Sequence, residues 1–177
     1  MINTKEKLKN YIDKDRKNAG RSHTLFYIGD ELGKYLLLLR KKEYAYNLSK
    51  KNFFQKIHYF YLKYRVHHLG VKLGFDIPIN SIGPGFRIDH WGFLAINEYA
   101  KIGKNCHIYG DVTIGVKNKT DKIAPIIGDN VEIGTGARII GPITIASNCK
   151  IGANACVTHS ILEEGKTVVG IPAHEID

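Results

Sequence analysis

Long apolar runs are missing from this 177-residue chain: the longest, YLLLL at residues 35–39, falls far short of the roughly 20 residues a membrane-crossing helix needs. A secretory leader is not expected either. The opening MINTKEKLKNYIDKDRKNAGR stays polar where a signal peptide would turn apolar. Cysteine is scarce and odd in number. Cys106, Cys149 and Cys156 fit no zinc spacing, so reduced thiols in a cytoplasmic protein are expected. Acidic residues are in deficit, 17 against 26 Lys and Arg, for a net charge of +9. With 44% hydrophobic and 24% charged residues the composition is that of an ordinary globular chain, which excludes wholesale disorder.

The excess positive charge is concentrated before residue 75, in stretches such as LRKKEYAYNLSKKNFFQKIHYFYLKYR. A basic, aromatic segment of this kind suits either an anionic partner or the solvated face of a helical domain. Phe53, Ile57, Phe60 and Tyr64 repeat at spacings of three and four, which predicts one apolar stripe packed into a core. No recognisable nucleic-acid motif accompanies it, and no nucleic-acid partner is expected. Helices are predicted near 4–17, 24–42 and 50–69, with Gly70 closing the last. They make a helical N-terminal domain, residues 1–74.

After residue 75 helical periodicity gives way to a six-residue one. Steps of six from Ile96 reach Ile102, Ile108 and Ile114; a second run contains Ile127, Ile133, Ile139, Ile145, Ile151 and Val157. Glycine often follows, and the fourth residue on is often small or aliphatic, as at Ala100, Cys106, Val112, Val131, Ala137, Cys149 and Ala155. Such a period makes a solenoid: the branched residue fills a narrow interior, the small one packs beside it, and stacked coils bury what one coil cannot. The cysteines sit at or beside the small positions and read as packing. The step from Ile114 to Ile127 is one hexad plus seven residues, so a loop must protrude at about 116–125, where function tends to be placed. Counting back six from Ile96 lands on His90, a histidine at a core-type position, preceded by Asp89.

Residues 75–177 form the second predicted domain, and within it residues 75–173, through IDH (88–90), AKIGKN (100–105), the loop after VTIG (112–115), IGDNVEIGTGARIIG (127–141) and VVGIPA (168–173), resemble the left-handed parallel β-helix acyltransferases of hexapeptide repeats, in particular the serine acetyltransferase family. The resemblance implies a mainly β fold behind helices, acetyl-CoA as co-substrate, no metal, and a homotrimer with sites between subunits. It implies that His90 is the general base, a task suited to a group with an ordinary pKa near 6.5. Asp76 matches the family's dyad aspartate with a one-residue gap, and Asp89 its acceptor-contacting aspartate. Trp91 is placed beside the acceptor. For the cofactor the resemblance points to Gly115, Gly136, Ala137, Ala153 and Ala155 at turns, where small residues admit a close approach, and to Lys150 and Arg138 for the phosphates.

Departures from that family shape the expected acceptor. Its loop carries an Arg-His pair before a proline; here Ile123 and Ala124 precede Pro125, and Lys122 is the nearest cation. Neither Ile123 nor Ala124 can hold a carboxylate. The compact polysaccharide-biosynthesis O-acetyltransferases of the colanic-acid type resemble this chain more closely, implying a sugar hydroxyl as acceptor and contact with an anionic membrane surface or lipid-linked glycan. Serine O-acetylation is the alternative. A non-catalytic β-helix binding module and N-acetylation of an amino sugar also stay open. His90, His107 and His159 are too scattered for the three-histidine zinc site of β-helix carbonic anhydrases.

Overall fold

The Thr4 hydroxyl accepts from the Lys7 N–H and opens α1 (Lys5–Asn18). The computed structural model describes residues 1–20, 29–48 and 52–176. Asp30, accepting from the Gly33 N–H, caps α2 (Glu31–Asn47). That helix starts later than the predicted range of 24–42 and runs five residues past its end; residues 24–28 and 50–51 of the predicted helices lie outside the described residues. A capping box between Asn52 and Gln55 starts α3 (Phe53–Leu73).

Gly70 does not close α3. It lies within the helix, where an added Cβ would fall 2.7 Å from the Phe75 carbonyl oxygen, so it permits close packing rather than a turn. Gly74, at φ +79°, is the left-handed C-cap. The predicted apolar stripe of α3 is also corrected. Leu62, Val66, Gly70 and Leu73 face the protein, while Phe53, Ile57, Phe60 and Tyr64 lie on the other side and are 51–72% exposed. Both faces of this helix are apolar, and spacing alone does not say which one the fold covers.

From residue 75 the chain coils. Among the described residues fourteen short strands follow: β1 (Phe75–Asp76), β2 (Arg87–Ile88), β3 (Leu94–Ile96), β4 (Lys101–Ile102), β5 (His107–Ile108), β6 (Val112–Gly115), β7 (Ile126–Ile127), β8 (Glu132–Ile133), β9 (Arg138–Ile140), β10 (Thr144–Ile145), β11 (Lys150–Ile151), β12 (Cys156–Val157), β13 (Thr167–Val169) and β14 (His174–Ile176). They form three sheets, ordered β1-β3-β6-β9-β12, β4-β7-β10 and β2-β5-β8-β11-β13-β14. All pairings are parallel except β13 with β14. Each inner coil thus gives one strand to each face of a triangular prism, and the first and last coils reach the smallest sheet only through single bridges at Ile82 and Ile161. Stacked partners are 18 residues apart in the regular coils, as Arg138 and Cys156 are, and 25 apart across the loop, as Lys101 and Ile126 are. The seven extra residues are those counted from the isoleucine spacing.

All ten residues of the six-step series are buried, in one apolar cluster that runs from Leu32 and Leu39 of α2 to Val168 of β13. Corners between faces need left-handed backbone, which asparagine tolerates better than other residues with a Cβ. Asn105, Asn130 and Asn148 all have positive φ, and their side-chain amides bond from coil to coil, ending on Glu164.

A buried ionic group fastens the helices to the first coil. Arg40 is wholly buried and donates to Asp15, to Glu43 and to the carbonyls of Ile82 and Gly83. Asp15 also accepts from the N–H groups of Gly85 and Phe86, and Glu43 from that of Asn80. Burial alone would lower the Arg40 pKa, but the two carboxylates outweigh it and hold the guanidinium charged.

Candidate active site

His90 is not a core residue. In the first coil Arg87 pairs with His107 and Ile88 with Ile108, 20 residues apart, so Ile88 fills the interior position. By β3 the separation is back to 18. The corner from Asp89 to Phe93 therefore holds two more residues than the corner below it, Tyr109 to Asp111. This expansion pushes His90 and Trp91 outward; both are exposed. Counting in sixes cannot register such an expansion, which is why His90 fell in phase with the core.

Beneath His90 lies Gly110, at φ +145°, where a methyl group would sit 3.3 Å from the His90 Cβ. The column continues downward. Gly136 donates its N–H to the Gly110 carbonyl, and Asn154 donates to Thr135. Gly136 and Ala153, two of the residues predicted at the cofactor, are thus on the same corner as His90. Ala137 and Ala155 flank the column but are buried, with backbone groups already bonded within the coils, so neither side chain reaches the surface. Arg138 is engaged rather than free: it donates to the Asp111 carbonyl and pairs with its carboxylate at 3.0 Å. Lys150 is exposed at the start of β11, in register with Glu132. Gly115 ends β6, at the opposite end of its sheet face from the His90 corner, and the exposed Lys122 lies in the loop beyond it. Ala124 is buried and Ile123 exposed.

The two aspartates are committed elsewhere. Asp76 faces a groove lined by Tyr35, Lys42, Lys63 and His67, where burial first and then the Asp76 charge push the Tyr35 hydroxyl well above its ordinary pKa. Asp89 accepts from Arg87 Nε at 2.6 Å and contacts His107 Nε2 at 2.8 Å, and the His107 ring lies 4.1 Å from that of Tyr109. Burial pushes the Asp89 carboxyl up, but hydrogen bonds from Arg87 and His107 outweigh it and hold it below the usual carboxylate range. No hydrogen bond joins His90 to either aspartate. The Arg87–Asp89–His107 group escaped sequence reasoning because Asp89 meets His107 only through the stacking of coils, 18 residues on, beside a corner whose length departs from the repeat. Among the described residues no three His, Cys, Asp or Glu side chains converge as a metal site.

Stacked six-residue repeats in three parallel sheets, with an expanded corner bearing an outward histidine, define a parallel β-helix. A family described as bacterial transferase hexapeptide (six repeats) matches residues 124–159. The serine acetyltransferase of Staphylococcus xylosus is 46% identical over 98 residues, or 55% of this chain and 45% of the relative. The chain thus aligns with a little under half of that relative. Among solved structures, soybean serine acetyltransferase complexed with serine has a TM-score of 0.75 at 26% identity, covering 96% of this chain and 69% of that one. Serine acetyltransferase isoform 3 of Entamoeba histolytica, in complex with cysteine, has a TM-score of 0.67 at 29% identity, covering 92% and 57%. These relatives overturn the sugar hydroxyl expected from Ile123 and Ala124: they are serine acetyltransferases, and they favour the alternative acceptor.

Proposed function

We propose that this chain is an acetyl-CoA-dependent O-acetyltransferase acting on L-serine, with its coils wound left-handed and His90 as general base. The observation that carries the reading is the expanded corner, which holds His90 out over Gly110 in a coil stack similar to serine acetyltransferases. His90 takes the proton from the serine hydroxyl as that oxygen attacks the thioester carbonyl. The tetrahedral intermediate then collapses, the C–S bond breaks, and the proton passes to the leaving thiolate, giving O-acetylserine and CoA. Small residues down the corner, Gly110, Gly136 and Ala153, leave a path for the pantetheine arm, with Lys150 as an exposed cation nearby. Asp89, held by Arg87 and His107, presents fixed negative charge one residue from the base, suited to the serine ammonium.

Lys122 supplies the cation for the serine carboxylate. Its loop leaves the far end of the sheet face from His90, so we assign the complete site to two chains of a homotrimer, the loop of one meeting the histidine of the next. Exposed Trp91, Phe93 and Ile126 suit such an interface. The test is CoA release from acetyl-CoA with L-serine, wild type beside His90→Ala. The expected result is serine-dependent turnover that falls by about 10²–10⁴ in the variant. No serine-dependent thiol release, or an undiminished rate in the variant, would overturn the reading.

A further inference from the structure

We propose that the outer face of α3 docks flat on an anionic lipid surface. Phe53, Ile57, Phe60, Tyr64 and Val71 are all exposed, 51–72%, on the side of the helix away from the core. At 100° per residue they fall in a sector of about 60°. Phe54 and Tyr61 widen it on one side and are also exposed. Lys56 and Lys63 flank the sector on one edge, Arg65 and Lys72 on the other. The helix sequence FFQKIHYFYLKYRVHHLGVKL contains no acidic residue.

That arrangement is what an interfacial helix requires: aromatic rings for the headgroup boundary, bordered by long cations whose heads reach lipid phosphates. Among the described residues no helix is long and apolar enough to cross a membrane, so the contact is one of lying on the surface. Charge decides between occupants. A second copy docking through the same face would bring two cationic borders together, on a helix that carries no acidic residue of its own, whereas an anionic bilayer supplies counter-charge. The contact is independent of the acceptor and of the chemistry at His90.

The experiment is flotation of the full chain with vesicles of phosphatidylcholine alone and of phosphatidylcholine with 30% phosphatidylglycerol, at physiological salt. The proteins compared are wild type, Lys56→Glu/Lys63→Glu, Phe60→Ser/Tyr64→Ser, and the loop control Lys117→Glu/Lys119→Glu. Wild type and the loop control are expected to float with the anionic vesicles only. The α3 charge reversal should weaken binding at least tenfold. The serine pair, which keeps the net charge, should weaken it comparably with an unchanged thermal melt. Absence of binding, equal binding to neutral vesicles, or equal loss in the loop control would overturn the proposal. So would a fall in native mass of the serine pair by sedimentation, which would assign the face to a second copy.

Discussion

Arg40→Ala is the sharpest test of how the helices are held to the coils. The side chain has no solvent exposure and makes five hydrogen bonds, two to Asp15, one to Glu43 and two to the carbonyls of Ile82 and Gly83. Truncation leaves two carboxylates, 6% and 1% exposed, without their cation, and two carbonyls without a donor. Breaking one buried pair costs about 3–5 kcal/mol. The bonds Asp15 and Glu43 retain, from Gly85, Phe86 and Asn80, keep them anchored and prevent escape to water. In a chain of this size the loss lowers Tm by about 6–20 °C. Urea unfolding and a thermal melt, read beside Lys41→Ala as an exposed control on the same helix, measure it. A loss below about 1 kcal/mol would refute the reasoning, because it would mean that water reaches the group or that the helices do not rest on residues 82–86.

Three further outcomes are expected. Gly110→Ala imposes a positive φ on a residue with a Cβ and presses on His90 from below; activity should fall by about tenfold or more with a stability loss of about 1 kcal/mol, and unchanged kcat/KM would argue against His90 at the reacting centre. Asp89, its carboxyl held below the usual range, adds stability that is complete above about pH 4 and is lost as pH falls through the lower folded value; urea midpoints from pH 5 downward should fall less steeply in Asp89→Asn, and equal slopes would contradict this. Burial pushes the Cys106 thiol up to about 11, so native protein at pH 8 should be alkylated there about a hundredfold more slowly than a free thiol; mass spectrometry after iodoacetamide reads the result, and rapid labelling would refute it.

The prism interior was legible because a hexad makes the same demand at every corner: Ile108, Ile133 and Ile151 fill equivalent places in successive coils, and their spacing states it. The seven-residue loop was legible as a break in that count. His90 was not, since the two-residue expansion at 89–93 puts the interior residue at Ile88, eight before Ile96, so a step of six lands on the corner instead. The faces of α3 were misassigned for another reason: periodicity reports that a face is apolar, not that something covers it. The Arg40 network left a faint trace, a charged pair at spacing three on the stripe of Leu32, Tyr35, Leu36 and Leu39. The acceptor was misread from two absent side chains at 123 and 124, although a missing pair does not say what else can grip a carboxylate.

Each coil touches only the coil above and the coil below, so the stack comes apart from its ends, like a pile from which one plate can be lifted. At one end β14 turns back against β13 and closes the edge. At the other, α1 and α2 are clamped on by Arg40, and the His90 corner belongs to the coil directly beneath them. Loosening of that lid would release the base while the lower coils stayed wound, so inactivation by heat or urea should run ahead of the loss of β structure.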